Sequence, residues 1–542
     1  MTATAIVENQ SSPLVDYNPY EGNRALREAV AREGAGWAHE RLMSFGAQAG
    51  RAERIESAQL ANRFTPVLRT HDRYGRRCDT VEFHPAWHDL MRFGIGAGLH
   101  SSPWADPRPG AHVARAAAFL TYGELENGTQ CPMTMTYGSV PALSAEAGLA
   151  KTWLPKIFST EYDPRFAPVD QKSSALIGMG MTEKQGGSDV RANTTRAHNT
   201  GGREFELTGH KWFMSAPMCD AFLVTAQTDG GLSCFFVPRF TPDGKVNTLR
   251  FQRLKDKLGN KSNASSEVEF ESAWGVLLGE EGRGVPTILE MGVYTRLDCS
   301  LGSTGIMRQC LAQALHHARL RSSFKRTLRE HPLMKSVLAD LALEVEAATA
   351  LSMRLARAYD RGGDETEREF RRVVTAISKY WICKRGIAVA AESMEVLGGN
   401  GYVEEAPLAR LYREMPVNSI WEGSGNIMCL DVLRALSRGP AAYAVLAAEM
   451  GAAQGRHPAF DAHLKRLESL LKNPAQAEPQ ARVLVQALAL ALQASLLLRH
   501  APTEVAETFC ASRLGDSGWG ACFGALPAGA PVDALIERAM PY

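Results

Sequence analysis

The sequence lacks the patterns that mark disulfide-rich, zinc-binding and secreted proteins. Its ten cysteines include no Cys-x-x-Cys pair, and none has metal-ligand spacing to a histidine pair. Scattered cysteines in a long chain are mostly buried small hydrophobic residues, so we predict a reducing compartment, no disulfide framework and no metal site. The first residues also lack a basic stretch followed by an apolar one, so no secretory signal is expected.

An excess of charge of one sign is missing as well. The 60 basic residues balance 59 acidic ones, and the formal net charge is +1. A domain that binds nucleic acid is usually visibly basic, so any such contact must come from a local patch. With 45% apolar and 22% charged residues, the composition is that of a soluble globular protein.

The most apolar run is too short for a membrane span. It covers residues 483–498 and contains Gln486, Gln493 and Ser495, whereas a spanning helix needs about 20 apolar residues. We therefore predict a buried helix at this position, no membrane partner and a cytoplasmic location.

The chain is long enough for several structural units. Short β-branched and aromatic segments between glycine-rich turns predict strands in its middle, and apolar residues at helical spacing follow them. The sequence predicts an α+β fold with a central antiparallel β-barrel and a C-terminal four-helix bundle. The predicted segments are an N-terminal arm (1–40), an N-terminal helical domain (41–173), the β-barrel domain (174–282), the four-helix bundle (283–438) and an extra C-terminal helical region (439–542).

Residues 178–190 run from a predicted strand into a loop, Thr-Glu-Lys-Gln-Gly-Gly-Ser-Asp. Gly186 and Gly187 let backbone amides approach an anion such as a pyrophosphate, and Ser188 can donate to a phosphate oxygen. Thr182 offers a hydroxyl where the strand ends. A plain Gly-Gly-Ser-Asp turn is the alternative.

Two further segments could hold a cofactor. Trp212 and Phe213 are consecutive aromatics on a predicted strand, where they could cover a planar ring or simply form barrel core. Arg321 follows a predicted helix and suits a phosphate, because guanidinium geometry matches it with two hydrogen bonds. A solvated helix end is the alternative for this arginine.

Glu422 lies between Trp421 and Gly423, just before a predicted helix. Ser424 and Asn426 have the character of N-terminal capping residues with spare hydrogen-bonding capacity. Partial burial beside a bulky aromatic raises the pKa of a carboxylate in general and makes it a better base. A surface glutamate in a capping turn is the alternative.

Taken in order, these motifs resemble those of the acyl-CoA dehydrogenase family. Residues 181–190 are similar to its Thr-Glu-Pro-Gly-Ala-Gly-Ser-Asp segment, and residues 209–215 to its Gly-x-Lys-x-Trp-Ile-Thr strand. Residues 321–324 resemble its Arg-x-x-Phe-Gly motif. Residues 395–402 and 421–426 resemble its last two motifs.

Some positions depart from the common pattern of that family. Lys184 and Gln185 replace the usual Pro-Gly, Lys325 replaces a glycine, and the chain is longer at both ends. These features resemble the AidB-type alkylation-response flavoproteins, one branch of the family. The stretches that carry this likeness are 32–37, 178–190, 253–260 and 411–434.

The resemblance implies that FAD lies between the barrel and the bundle. Glu422 would be the catalytic base, removing the α-proton of a thioester while the β-hydrogen leaves as hydride to flavin N5. Some family members place the base at a position that matches about Thr295, whose side chain cannot serve. The residues implied to bind the cofactor are Met181, Thr182, Gly187, Ser188, Phe213, Ser215, Arg321, Gly398, Gly399, Trp421, Ser424 and Asn426.

The branch also implies a homotetramer built from dimers, association with double-stranded DNA and weak dehydrogenation of an acyl-CoA. The alternatives are an ordinary catabolic acyl-CoA dehydrogenase and a non-catalytic scaffold. Residues 440–542 carry eight basic and nine acidic residues, which argues against bulk electrostatic DNA binding. A DNA surface would have to come from clusters such as Arg434/Arg438 and Lys465/Arg466/Lys472. Trp421 would narrow the substrate pocket, so long straight acyl chains are expected to be poor substrates.

Overall fold

The computed structural model describes residues 6–471, 477–515 and 522–542. Lys472, a member of one predicted basic cluster, lies outside these ranges. The chain forms two compact units. Unit 1 consists of Met1–Ile55, Pro109–Leu125 and Cys299–Tyr542, and unit 2 consists of Glu56–Arg108 and Glu126–Asp298.

Helices dominate the described residues. In chain order they are α1 (Arg24–Arg32), α2 (His39–Ala49), α3 (Ala52–Arg63), α4 (Pro85–Gly96), α5 (Ser102–Ala105), α6 (Ala111–Leu125), α7 (Gln130–Ser144), α8 (Ala147–Ile157), α9 (Gly284–Leu320), α10 (Pro332–Asp360), α11 (Glu365–Val396), α12 (Gly399–Tyr402), α13 (Pro407–Asn418), α14 (Gly425–Ser437), α15 (Pro440–Gly451), α16 (Pro458–Leu471), α17 (Ala481–His500), α18 (Thr503–Arg513) and α19 (Val532–Ala539).

The helices predicted in the second half of the chain are observed as α9, α10, α11 and α14. The start of α11 is capped by Asp364, whose carboxylate accepts hydrogen bonds from the backbone amides of Thr366 (2.8 Å) and Glu367 (3.2 Å). The helix ends before Gly398, whose φ of +61° is a left-handed conformation that favours glycine. In unit 1, α11 packs against α10, α13 and α14.

The strands lie mainly in unit 2. They are β1 (Val67–His71), β2 (Arg77–Glu82), β3 (Ile177–Gly180), β4 (Arg196–Gly201), β5 (Glu204–Ser215), β6 (Ala221–Thr228), β7 (Gly231–Pro238), β8 (Leu249–Leu254), β9 (Ser265–Leu278), β10 (Ser322–Ser323) and β11 (Arg326–Thr327). The main sheet has seven strands in the order β3-β6-β4-β5-β9-β7, with β8 also paired to β9 and β6 also paired to β7.

The sequence predicted an antiparallel sheet, but the observed sheet also contains parallel pairings. Strand β3 pairs with β6 in parallel, with Ile177 opposite Ala221, and β4 meets β6 in parallel at Arg196 and Gln227. The connection from β3 to β6 contains β4 and β5, and a connection of this length permits parallel pairing. The other pairings of this sheet are antiparallel. Closure into a barrel stays a prediction.

The C-terminal helices are built into the core of unit 1. The predicted buried helix is observed as α17; it is long and apolar enough to span a membrane, but 72% of its most apolar window is buried inside the fold. The indole nitrogen of Trp381 donates to Gln493 of α17 over 3.0 Å. Arg513 of α18 is fully buried and pairs with Asp340 (2.5 Å) and Glu344 (3.2 Å) of α10.

Close packing of α6 and α9 depends on one glycine. A Cβ atom added at Gly305 of α9 would lie 2.4 Å from the carbonyl oxygen of Leu120 and 3.0 Å from the carbonyl carbon of Gly123, both in α6. No side-chain rotation can relieve a clash with backbone atoms. Only glycine therefore allows the two helices to approach this closely.

We expect Gly305→Ala to destabilise the protein by about 1–3 kcal/mol, the usual cost of overpacking a core. Urea unfolding followed by circular dichroism measures the change. Gly451→Ala is the control, because a Cβ at that helical position meets nothing within 4 Å. Equal stability of Gly305→Ala and the control would contradict the proposed packing constraint.

Candidate functional site

The loop after β3 forms a tight turn in unit 2. The amide of Glu183 donates to the carbonyl of Gly186 (2.9 Å), and the amide of Gly186 donates back (3.2 Å). Thr182 accepts a backbone hydrogen bond from Trp212 of β5 (2.8 Å). A Cβ at Gly187 would contact the Thr182 side chain at 3.4 Å. Two of the predicted cofactor residues, Thr182 and Gly187, are thus neighbours.

A fully buried ion pair holds this loop to the sheet. The Lys211 ammonium of β5 lies 2.7 Å from a Glu183 carboxylate oxygen, and neither side chain has exposed surface. The other Glu183 oxygen accepts from the Thr194 amide (2.7 Å) and from the Gln185 side chain (2.7 Å). Burial acts to raise the pKa of the Glu183 carboxyl, but the Lys211 charge and the hydrogen bonds from Lys211, Thr194 and Thr195 outweigh it and lower the pKa to about 2.

Phe213 lies on the surface of the sheet and does not belong to the core, although barrel core was one reading of the sequence. Its side chain is 49% exposed, which leaves an aromatic face available to a planar ring. The Lys255 ammonium lies 4.5 Å from the Phe213 ring centroid and 3.3 Å from that of Trp212. The Ser215 hydroxyl is 3.3 Å from the Ser265 hydroxyl.

The Glu422 turn links α13 to α14 in unit 1. Glu422 adopts a left-handed conformation (φ +58°) and Gly423 follows at φ +100°. Non-glycine residues rarely adopt such angles, and those that do cluster at functional sites. The buried Lys379 of α11 donates to the Gly423 carbonyl over 2.7 Å. The turn is therefore fixed from beneath, and the Glu422 side chain is half-buried.

The residues around Glu422 are held to different degrees. Trp421 donates its indole N–H to Asn418 over 3.1 Å. Ser424 is the N-cap residue of α14, as predicted, but its side chain makes no capping hydrogen bond. The side-chain oxygen of Asn426 accepts a hydrogen bond from Arg482 (2.9 Å) in α17. The C-terminal region therefore reaches one of the predicted cofactor residues directly.

Arg321 and the two glycines complete the predicted set in unit 1. Arg321 lies between α9 and a hairpin of β10 and β11, whose turn residues Phe324 and Lys325 have φ of +48° and +65°. One guanidinium nitrogen of Arg321 donates to the Asn9 carbonyl. Gly398 and Gly399 stand at the start of α12, where an added Cβ would meet nothing within 4 Å.

The predicted residues therefore form two groups. Met181, Thr182, Gly187, Ser188, Phe213 and Ser215 lie on or beside the sheet of unit 2. Arg321, Gly398, Gly399, Trp421, Glu422, Ser424 and Asn426 lie in unit 1. In unit 2, the open glycine backbone and the exposed aromatic face have the chemistry to meet a phosphate and a planar ring. In unit 1, Arg321 has the chemistry to bind a phosphate. Both kinds of group occur in a flavin dinucleotide. The buried Thr295 hydroxyl donates to the Gly292 carbonyl (3.0 Å) within α9.

Several supporting residues escaped the sequence reasoning. Glu183 and Lys211 lie inside the motifs at 181–190 and 209–215, but only the structure shows that they form an ion pair. Lys379 stands among apolar residues of α11, and a lysine at such a position is a signal for a buried hydrogen bond. Asn9 lies in an irregular segment without a recognisable pattern. Among residues 6–471, 477–515 and 522–542, no cluster of side chains suited to a metal ion is found.

Family models match most of the chain. Residues 9–164 match the adaptive response protein AidB N-terminal domain. Residues 178–273 match the acyl-CoA dehydrogenase middle domain, and residues 282–437 match the C-terminal domain of the same enzymes.

Individual proteins are similar over most of their length. The putative acyl-CoA dehydrogenase AidB of Escherichia coli is 49% identical over 517 residues, which is 95% of both chains. Acyl-CoA dehydrogenase family member 11 of Caenorhabditis elegans is 29% identical over 79% of this chain and 72% of its own. The crystal structure of C. elegans ACDH-11 in complex with C11-CoA superimposes with a TM-score of 0.84 at 25% identity, covering 94% of this chain and 93% of that one.

Glu183→Gln removes one partner of a fully buried ion pair, and we expect it to cost about 3–5 kcal/mol, because the Lys211 charge stays buried without its counterion. The double variant Glu183→Gln/Lys211→Met should recover part of this loss. Chemical unfolding of both variants measures the effect. Asp243→Asn, which breaks an exposed pair with Lys245, is the control and should change nothing measurable. An equally mild effect of Glu183→Gln would show that the pair does not hold the loop.

Proposed function

Because the chain belongs to the acyl-CoA dehydrogenase family, whose members are FAD-dependent oxidoreductases, we propose a reaction that the protein catalyses and a cellular response in which it acts. The reaction is oxidation of an acyl thioester at its α and β carbons, with Glu422 as the base. The setting is the response to DNA alkylation, in which the protein associates with double-stranded DNA.

The observation that carries the proposed reaction is the backbone of Glu422. A glutamate is held in a left-handed turn between an aromatic residue and a glycine, with the Lys379 hydrogen bond fixing the next carbonyl. Such a conformation costs about 1–3 kcal/mol and persists only where the surroundings impose it. A simple surface turn has no need of a buried lysine beneath it.

In this proposal, each group of residues has one task. The Glu422 carboxylate accepts the α-proton of the thioester and holds it on a carboxylate oxygen. FAD, when bound, supplies the acceptor for the two electrons and the β-hydrogen. Phe213 would pack against the cofactor ring, while Thr182, Gly187 and Ser188 would offer hydrogen-bond donors to its polar groups.

The link to DNA alkylation rests on the likeness at both ends of the chain. The AidB N-terminal domain match begins at residue 9, and the similarity to the E. coli protein extends over 95% of both chains. Among the basic clusters named from the sequence, Arg438 at the end of the predicted bundle and Lys465 in the C-terminal region are exposed. Arg434 is paired with Asp431 (2.8 Å), and Arg466 donates to the Leu514 carbonyl (2.8 Å). Of these four residues, Arg438 and Lys465 are therefore the ones that we propose meet phosphates.

Assembly and location complete the proposal. We place the protein in the cytoplasm as a homotetramer, a dimer of dimers, in which Arg321 reaches FAD phosphates across a dimer interface. A subunit interface would bury large apolar side chains that are exposed in the single chain. Examples are Phe324 (92% exposed), Leu333 (84%) and Tyr402 (80%).

Glu422→Gln should abolish reduction of bound FAD by acyl-CoA without releasing the flavin. Loss of a positioned base typically lowers the rate by about 10²–10⁴-fold. Anaerobic visible spectra with a panel of branched, medium and long straight-chain acyl-CoAs measure the bleaching. Glu405→Gln, at an exposed position, is the matched control and should bleach as the wild type does. Flavin that bleaches equally in Glu422→Gln would exclude Glu422 as the base. Efficient turnover of long straight chains would favour a catabolic enzyme.

Duplex DNA should be retained by the protein at 50 mM salt and released at 200 mM, because affinity that comes from phosphate neutralisation falls steeply with salt. Arg438→Glu/Lys465→Glu should weaken retention and lower the salt dependence. The double reversal Arg73→Glu/Lys151→Glu, at exposed positions of unit 2, changes the net charge by the same amount and is the control. Filter-binding titrations measure the effect. Retention that is insensitive to salt, or equally weakened by the control, would contradict a specific DNA surface that contains Arg438 and Lys465.

A further inference from the structure

The leading segment, residues 6–18, is held along α9 in unit 1. The Tyr17 hydroxyl donates to Gln309 over 2.8 Å, and His316 donates to the Ser12 carbonyl over 2.7 Å. Ser11 and His317 share a hydrogen bond of 2.8 Å. These contacts run toward the C-terminal end of α9. They bring the start of the segment to the residue that follows this helix, Arg321.

The Asn9 side chain forms hydrogen bonds with both the carbonyl and the amide of Ser322, the residue after Arg321. Its side-chain nitrogen donates to the Ser322 carbonyl (2.8 Å), and its side-chain oxygen accepts from the Ser322 amide (2.8 Å). The pair of hydrogen bonds reproduces what a neighbouring strand would offer to β10. Asn9 has a φ of +52°, a conformation in which asparagine is enriched several-fold over other non-glycine residues.

The same residue also contacts the arginine side chain. The Arg321 guanidinium donates one hydrogen bond to the Asn9 carbonyl. A guanidinium has five N–H donors in a rigid planar fork, so fixing one of them orients the rest. The next residue, Gln10, accepts from the Asn400 side chain (3.1 Å), immediately after the Gly398–Gly399 pair. The leading segment therefore touches two of the places assigned to the cofactor.

We propose that Asn9 is a positioning residue for a bound pyrophosphate, acting through Arg321. Its side chain fixes Ser322, its carbonyl fixes one edge of the guanidinium, and the remaining donors are left for phosphate oxygens. A side chain that is already ordered loses less freedom on binding, so the ligand binds more tightly. The proposal rests on the proposed function, in which FAD and an acyl-CoA each present a pyrophosphate.

A double-mutant cycle between Asn9 and Arg321 tests this role on the purified holoprotein. FAD release is followed by recovery of flavin fluorescence on dilution, and acyl-CoA binding by competition. Arg321→Ala should weaken FAD binding about tenfold or more, the loss of a charge-assisted hydrogen bond. Asn9→Gly, which removes the side chain without straining the backbone, should weaken binding about fivefold. In the Arg321→Ala background, Asn9→Gly should have no further effect.

The outcomes separate the explanations. Loss of acyl-CoA affinity instead of FAD affinity, with the same coupling to Arg321, would support the positioning role of Asn9 and assign the pyrophosphate to CoA. An equal loss from Asn9→Gly in both backgrounds would overturn the proposal, because the effect would then be structural. So would an unchanged affinity in either single variant, or a wild-type protein that binds neither compound.

Two controls distinguish a loss of ligand affinity from a general loss of stability. The thermal unfolding midpoint of each variant shows whether Asn9→Gly simply loosens the fold. Asn199→Ala removes an exposed side-chain hydrogen bond of 3.0 Å to Gly202 in unit 2 and should leave both affinities unchanged. If acyl-CoA bleaches the flavin of the wild type but the double-mutant cycle shows no coupling between Asn9 and Arg321, this inference is overturned while the proposed function stands.

Discussion

The ion pair between Lys211 and Glu183 is the constraint on which the arrangement of unit 2 depends. Both charges are completely buried, and a buried charge is tolerated only when its partner and its remaining hydrogen bonds are in place. The pair therefore permits one conformation of the loop after β3, in which Thr182 is tied to β5 and Gly187 lies against it. Exposed backbone can then be presented in a fixed geometry without a metal or a disulfide.

Unit 1 fixes its groups with one buried lysine and one exposed asparagine. Lys379 holds the turn that carries Glu422 by its next carbonyl, and Asn9 holds the hairpin that carries Arg321. In each case the residue assigned a chemical role is not itself buried, while the residue that fixes it lies beneath or beside it. Rigid support under an exposed group is what positioning for chemistry requires.

The sequence predicted those elements that leave a local pattern of residue types. Apolar spacing predicted α9, α10, α11 and α14, and the glycine run after Val396 predicted the end of α11. Ordered motifs led to the family, which the similarity to the E. coli protein confirmed. Parallel pairing of β3 with β6 could not be predicted, because local alternation gives no partner or direction. The hydrogen bonds between Asn9 and Ser322 could not be predicted either, because they join residues more than 300 positions apart and leave no local pattern.

The burial of α17 has a consequence for how such a chain can change during evolution. Arg354 of α10 pairs with Glu449 of α15 (2.8 Å), and Arg513 of α18 satisfies Asp340 and Glu344 of α10. A truncated gene product ending near Arg438 would expose apolar surface of α10 and α11. Arg354 would keep only Glu367 and Glu344 only Arg385, while the buried Asp340 would lose Arg513. The last hundred residues therefore cannot be shed as a detachable module. Gain or loss of this region requires compensating substitutions on the inner helices, so the two parts of the chain must have diverged together.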